Sequence, residues 1–497
     1  MSLINYVLNL FGLKKLTYKQ LTYGVLSATS IYILYPSFKG ILFAILGIKL
    51  IKVDIDSERW DKYTTGISNR GNDCYINSSL QAFSALEYLT IYLNEYIQLF
   101  FKQVEIAEEA ENHSKTNIRG LLHESLCSVC GDLQKLICQP KVISNVQIVQ
   151  SLERIFQSKI SRDQNDAHEF VQMLLQRLCE ENKILYEYSD NRILKNIKCD
   201  FPFKGTISRH YFCMSCHKRS KIQKQDQFMW ELNVPQRYEC SLQEIIENDG
   251  YEMIQDYSCL YCQVSALLVN EANYNFNNDD FENKNICQLK ALLPILKINS
   301  DIPNHLLYYI KNYDKNRCVP SKMKTTIVRR SAFSKLPKIL IMHLSRSMYN
   351  GMVMARNSCR VTFPEILELN QQNLGEDGNF QMKKMKYSLK AMVKHTGSHY
   401  QGHYQCYKQK PKLVFNNQNK QFINKAPTII ERIDDIQNNK DIEKTKIHGI
   451  KKFKTIKTVK SSPFWLISDD KVKEVKNSTL HNENKYVYML YYEIQLE

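Results

Sequence analysis

The 497-residue chain carries 67 Lys and Arg against 51 Asp and Glu, a formal net charge of +16, with 43% hydrophobic and 24% charged residues. That balance excludes a disordered or fibrous chain and describes a globular protein large enough to bury an extensive core. Fifteen cysteines, an odd number at no dense spacing, exclude a disulfide-stapled scaffold and point to a reducing compartment.

The first distinctive segment runs from Gln20 to Phe38 (QLTYGVLSATSIYILYPSF) and carries no charge over 19 positions. As a helix that length spans about 28 Å, close to one bilayer core. Lys14, Lys15 and Lys19 precede it, Lys39, Lys49 and Lys52 follow, and a second apolar run occupies Gly40 to Ile48. Residues 1–53 therefore read as an N-terminal membrane anchor, transmembrane over about 20–38, with a buried soluble helix as the alternative. No small-residue cleavage site follows, which argues against a removed secretory signal.

Residues 66–81 (GISNRGNDCYINSSLQ) deliver Cys74 from a Gly-rich turn onto a helix start, because Ile76, Leu80, Phe83, Leu86 and Leu89 recur at helical spacing. Backbone N–H groups at a helix N-terminus favour thiolate over thiol, and thiolate is the nucleophilic form. The plainer reading of Cys74 is a small buried hydrophobe. Downstream, Asn165 or Asp166 can cap a helix whose stripe is Ala167, Phe170, Val171, Leu174, Leu175 and Leu178. A lone pair of cysteines between these segments, Cys127 and Cys130, reads as packing.

Cys213, Cys216, Cys259 and Cys262 form two Cys-x-x-Cys knuckles separated by 42 residues, and four thiolates make a tetrahedral zinc shell. An insertion of about 269–324 follows, with an acidic, Asn-rich loop from Glu271 to Lys284 and an apolar stretch, Ile286 to Ile298, expected as helix. Strands are expected near Leu336 to Arg346 and at Val361 to Pro364. From Tyr387 to Lys394 apolar and polar residues alternate as in a half-buried strand, a Gly-containing turn follows, and His403 to Tyr407 begins the return. An imidazole here can take a thiol proton and return it to a leaving amine. His395, His399 and His403 are rivals for that role. Their spacing also suits a helical metal site, but the glycines and the strand alternation argue against a helix.

A lysine-rich segment, about 408–462, reads as a solvated insertion, with attraction to anionic lipid as its functional alternative. The net positive charge beside four cysteines also invites a zinc-dependent nucleic-acid module, yet no basic recognition helix or aromatic stacking surface stands out. After it, Trp465 to Ser468 is strand-like and ends on Asp469 and Asp470, either plain turn residues or an acid able to orient an imidazole. A final strand is expected over Tyr486 to Tyr492.

Together these segments resemble the ubiquitin-specific proteases, a family of papain-like cysteine peptidases, over about residues 64–493. The family's first box, approximately Gly-Leu-x-Asn-x-Gly-Asn-Thr-Cys-Tyr-Met-Asn-Ser, is matched at Gly66, Asn69, Gly71, Asn72, Cys74, Tyr75, Asn77 and Ser78. The resemblance implies that Cys74 is the nucleophile and that Asn69 donates to the oxyanion. The family's Gly-His-Tyr sequence selects His403, and its strand-following acid selects Asp469, with Asp470 able to assist. Residues 163–170 look like the second box, Gln-Gln-Asp-Ala-His-Glu-Phe, which implies that Asp166 and Glu169 face the basic C-terminal tail of ubiquitin. The four cysteines coincide with the family's zinc-bearing fingers.

The fold so implied is α+β, a right hand with a helical thumb, a β palm and zinc-bearing fingers, behind an N-terminal transmembrane anchor. The implied reaction is deubiquitination, hydrolysis of the (iso)peptide bond after ubiquitin's C-terminal glycine, with no catalytic cofactor and a structural zinc. Partners are then ubiquitin and ubiquitylated proteins, and the membrane through the N-terminal helix, with no nucleic acid. The anchor's layout is similar to that of outer-mitochondrial-membrane members, which implies a catalytic domain facing the cytosol; the endoplasmic reticulum is the alternative. Two departures stand out. Ser347 follows Arg346 where phenylalanine is common, and Asp73 replaces the threonine before the nucleophile. A carboxylate beside a thiolate disfavours the charged form, so Asp73 leaves room for a catalytically weak or inactive membrane-tethered ubiquitin-binding scaffold.

Overall fold

The chain's computed structural model describes residues 59–109, 120–160, 165–188, 199–274, 279–349, 351, 354–374, 380–398, 401–416, 421–430, 453–455 and 457–495. The expected anchor over 1–53 lies outside these residues. Among the described residues no helix is long and apolar enough to cross a membrane.

A short strand β1 (Gly66–Ile67) leads into helix α1 (Cys74–Phe83), followed by α2 (Glu87–Glu109) and α3 (Leu121–Gln134). Strand β2 (Val142–Ile143) pairs in parallel with β1, and α4 (Val146–Phe156) and α5 (Ala167–Tyr188) complete the helical thumb. All ten residues of α1 are buried, so it is a central rather than a surface helix. Its apolar residues Ile76, Leu80 and Phe83 share one core with Leu174 and Leu178 of α5 and with palm residues Val393 and Cys406. Cys127 and Cys130 are buried in that same core.

The fingers begin with β3 (Gly205–Cys213) and β4 (Gln223–Gln227). The chain then passes through β5 (Trp230–Asn233) and returns as β6 (Tyr251–Tyr257). After the second knuckle come α6 (Leu260–Asn273), α7 (Asp280–Leu292) and α8 (Asn304–Asn312), then β7 (Thr325–Lys335), giving a sheet of order β4–β3–β7–β6. The expected insertion is thus helical, and the first of its helices already starts at Leu260, within the second knuckle. Its three helices bury a separate apolar cluster that includes Leu267, Leu289, Leu306 and Ile310. The helix expected to continue to Ile298 stops at Leu292, where Pro294 withholds a backbone donor and a single 3-10 turn takes over.

The palm is an eight-stranded sheet of β8 (Ile339–Ser345), β9 (Ile366–Leu374), β10 (Phe380–Gly397), β11 (Gly402–Gln409), β12 (Phe464–Ser468), β13 (Lys471–Val475) and β14 (Val487–Ile494), together with β5. The order is β13–β12–β11–β10–β14–β8–β5, with β9 on the outer half of β10, and only β5–β8 is parallel. Arg346 is buried at the end of β8 and donates to the carbonyls of Val487, Cys359, Asn357 and Asn484, which ties β8 to the start of β14. The lysine-rich insertion begins later than its composition suggested. Lys408 lies within β11, fully buried, with Nζ 3.0 Å from the Leu133 carbonyl, and burial lowers its pKa to about 8. Lys410 is equally buried, 2.5 Å from Glu474 and 3.5 Å from Asp61. Beyond them, Leu413–Asn416, Gln421–Asn424 and Phe453–Thr455 form a small separate sheet.

Candidate active site

Cys74 opens α1, directly after Asp73, and is 5% exposed. Burial pushes its thiol above the ordinary range, and the charge of Asp469 pushes the same way. The backbone N–H groups of Tyr404 and Tyr75 point at the sulfur and pull it down only in part. The helix start is where the sequence placed it, but its thiolate-favouring effect is outweighed: desolvating an anion costs more than a few partial charges return. Asp73 is not the opposing charge that its position suggested. Its carboxylate turns back to the Arg70 N–H at 3.4 Å, and the acid that acts on the thiol is Asp469.

His403 is the second residue of β11, and Tyr404, whose N–H reaches the Cys74 sulfur, is the next one. The hairpin that presents it requires glycine at 402, because a Cβ there would collide with Nε2 of His395. That histidine is spent on packing: it is buried, stacks on the Tyr404 ring with centroids 4.3 Å apart, and lies 3.3 Å from the Arg356 guanidinium. His399 lies outside the described residues. The His403 imidazole is 41% exposed, and its Nε2 is 3.9 Å from Asp469 Oδ2. Its hydrogen-bond partner is Ser468 Oγ, at 2.8 Å.

Asp469 and Asp470 form the two-residue turn between β12 and β13, where Ser468 pairs with Lys471. Asp469 takes φ +54°, a left-handed conformation that aspartate tolerates better than most residues. Its carboxylate accepts from Asn77 Nδ2 at 2.8 Å and from Asn69 Nδ2 at 3.1 Å, and its carbonyl accepts from the Ile67 N–H at 2.9 Å. Asp470 is exposed, and its backbone sits so close to Gly66 that a Cβ on that glycine would come within 2.8 Å of Asp470 Cα. Its side chain is thus turned outward, while its main chain seats the turn against β1.

Asn69 does more than point outward. Its Oδ1 accepts from the N–H groups of Gly71 and Asp73 at 3.0 and 3.2 Å, so it shapes the loop before Cys74 while Nδ2 holds Asp469. One amide hydrogen of Nδ2 remains for another acceptor. Asn77 is the residue whose part sequence reasoning missed. It is 1% exposed, is fixed through Oδ1 by Asn145 at 3.0 Å, and grips Asp469 from beneath. Its signal was legible: an amide one turn beyond Cys74, in a helix whose apolar stripe marks it for burial, needs a buried partner.

Asp166 caps α5, accepting the His168 N–H at 2.8 Å, and the Tyr488 hydroxyl donates to its carboxylate at 2.6 to 2.7 Å. Glu169 stands exposed on the first turn of the same helix. The two residues are close in sequence, but Asp166 is partly buried and engaged within the fold, whereas Glu169 is exposed.

The four knuckle cysteines converge at the end of the fingers sheet away from the palm, with their sulfurs within 4.8 Å of one another. Cys213 and Cys262 stand 3.7 Å apart, and Cys216 and Cys259 3.8 Å. Sulfurs about 2.3 Å from a tetrahedral zinc lie about 3.8 Å from each other, so the donor set fits that ion. Burial would raise the Cys213 thiol, but the N–H groups of Cys216 and Ser215 hold it down at about 6, whereas burial pushes the Cys259 and Cys262 thiols up, so all four would be thiolates only with a cation among them.

The arrangement brings a buried thiol, an imidazole and an anchored carboxylate together from α1, β11 and the β12–β13 turn. Such a set supports nucleophilic attack with proton transfer. Residues 65–492 match the family model described as ubiquitin carboxyl-terminal hydrolase. The chain is 36% identical to ubiquitin carboxyl-terminal hydrolase 16 of Saccharomyces cerevisiae, over 96% of both chains. It is 26% identical to ubiquitin carboxyl-terminal hydrolase 16 of Emericella nidulans, over 70% of this chain and 62% of that relative. A solved SAGA Ubp8/Sgf11/Sus1/Sgf73 DUB module bound to ubiquitin aldehyde matches with a TM-score of 0.48 at 15% identity, covering 92% of this chain and 76% of that one.

Proposed function

The chain belongs to the ubiquitin carboxyl-terminal hydrolase family of thiol-dependent cysteine peptidases, and we propose that it removes ubiquitin from membrane-proximal proteins with Cys74 as nucleophile and His403 as base. The observation that carries the assignment is that Cys74 packs in the same buried cluster as Tyr404, the neighbour of His403, and that of the two rival histidines among the described residues His403 is the one not committed to packing. Because burial holds the thiol above its ordinary range, attack is coupled to proton transfer: the sulfur bonds to the glycine carbonyl carbon as His403 takes the thiol proton. The imidazolium then protonates the leaving amine, and water, deprotonated by the same imidazole, cleaves the thioester.

The free amide hydrogen of Asn69 and the N–H groups at the start of α1 suit the developing oxyanion, each such donor being worth roughly 2.7 to 4 kcal/mol in comparable sites. Asp469 supplies negative charge beside the imidazolium. Asp470 acts through its backbone, by seating the turn. Glu169 is the better placed of the two acids to meet the basic tail of ubiquitin, with Asp166 shaping the helix start that presents it. Cys213, Cys216, Cys259 and Cys262 would hold a structural zinc that ties the fingers together and takes no part in the chemistry. The inactive-scaffold alternative drew on Asp73, and that carboxylate accepts from the Arg70 N–H in the loop before Cys74.

Residues 20–38 serve as the anchor in this proposal, and their modest hydropathy with basic flanks on both sides suits the mitochondrial outer membrane, with the catalytic domain in the cytosol. The endoplasmic reticulum is the second choice.

Treatment of the full chain with ubiquitin carrying a C-terminal thiol-reactive electrophile should give an adduct on Cys74 that is absent from Cys74→Ser. Correctly folded protein without an adduct would sink the assignment. A reporter fused to the first 60 residues should decorate mitochondria, and a diffuse signal would discard the anchor.

A further inference from the structure

We propose that Ser468 is the positioning residue for the His403 imidazole, and that Asp469 acts on that ring through its charge rather than by direct contact. The inference rests on His403 being the base of the hydrolysis. Ser468 Oγ lies 2.8 Å from His403 Nε2, whereas the nearest oxygen of Asp469 is 3.9 Å away, beyond hydrogen-bond reach.

Asp469 cannot easily close that gap. Each carboxylate oxygen already accepts from an asparagine, and both asparagines are themselves locked, Asn77 by Asn145 and Asn69 by the N–H groups of Gly71 and Asp73. The main chain is fixed as well, by the left-handed turn and by the Ile67 N–H on the Asp469 carbonyl. Moving the carboxylate toward the ring means breaking amide bonds to a charged acceptor. Ser468 needs no movement. It ends β12, its backbone pairs with Lys471, and the preceding Ile467 pairs with Cys406 of β11, which sets the hydroxyl against the His403 end of that strand.

The serine hydroxyl can donate or accept at Nε2, and the reaction requires the tautomer in which it accepts. With Ser468 Oγ accepting, the proton sits on Nε2, and Nδ1 carries the lone pair that takes the thiol proton. As the ring becomes imidazolium, the same bond becomes charge-assisted and stronger, so its benefit appears in the transition state more than in substrate binding.

The test compares wild type, Ser468→Ala and Ser468→Thr as full chains, with ubiquitin bearing a fluorogenic C-terminal amide, after matching their thermal unfolding. Loss of one hydrogen bond to a charged group predicts a fall in kcat of roughly tenfold to hundredfold for Ser468→Ala, with KM held within about twofold. Ser468→Thr, which keeps the hydroxyl, should recover most of the loss. An unchanged kcat in Ser468→Ala overturns the inference, and so does a loss that threonine fails to restore, since that would mark a steric rather than a hydrogen-bonding role. A wild-type chain without turnover and without a Cys74 adduct would instead overturn the assignment on which the inference stands.

Discussion

Cys74 lies where two effects on a thiol oppose one another. The helix start and the Tyr404 N–H favour thiolate; burial and the Asp469 charge favour thiol, and burial is the largest of these effects. The resting nucleophile is therefore a protonated thiol at neutral pH. Alkylation of Cys74 in the free protein should follow a pH midpoint above the ordinary cysteine range. Asp469→Asn removes a negative charge that raises the pKa, so it should move that midpoint down while slowing ubiquitin hydrolysis. Asp73→Thr, by contrast, should leave both the midpoint and turnover within about twofold of wild type, because its carboxylate is held by the loop. A midpoint that moves with Asp73 and not with Asp469 would reverse this account. The box that carries Cys74 was legible residue by residue, since its glycines, asparagines and helical stripe are local features. The charge acting on the sulfur was not legible, because it arrives from a turn some 400 positions away in the chain.

Two elements carry predictions of their own. In the fingers the knuckles lie at the end of β3 and just after β6, the two strands that flank β7. One zinc per chain is expected by elemental analysis, and Cys213→Ser or a strong chelator should remove it and lower Tm. Full stability without metal would refute a structural role. In β14, Glu493 is 1% exposed, accepts from the Tyr88 N–H at 2.7 Å and stands 3.6 Å from Lys390. Burial nevertheless raises its pKa to about 7. In the unfolded chain it titrates at about 4.3, so between those values the folded state holds a proton that the unfolded state releases. Stability from this group is accordingly present at low pH and lost as pH rises toward 7. Glu493→Gln should raise Tm at about pH 8 and leave it unchanged at about pH 5; an equal shift at both would show that the effect is packing, not ionisation. The palm strands near residues 336–346, 387–394, 403–407, 465–468 and 486–492 were readable from the sequence, whereas the fingers strands were not anticipated. The three-helix insertion was only partly readable, since its acidic Asn-rich stretch masks helices that are stabilised by one another rather than by propensity.

Residues 60–497 form one compact unit, and the family match begins at residue 65. Removal of residues 1–58 should therefore leave kcat/KM on a soluble ubiquitin substrate within about twofold; a collapse of activity would show that the N-terminal segment completes the catalytic fold. Over the whole molecule the surplus of lysine is not one solvated tract, because Lys408 and Lys410 are buried counter-groups in the palm. What the sequence by itself determined was local chemistry: a cysteine at a helix start, a histidine on a strand after glycine, a pair of aspartates in a turn, and two cysteine knuckles. Each rests on neighbours a few positions away, and short-range sterics and periodicity are written in the chain. Tertiary structure alone decided which histidine is consumed by packing, that Asp469 is gripped by Asn69 and Asn77, that Ser468 rather than Asp469 touches the imidazole, and that burial overrides the helix start at the thiol. Those outcomes depend on distances between segments far apart in sequence and on how much water is excluded between them, quantities that exist only once the chain has folded.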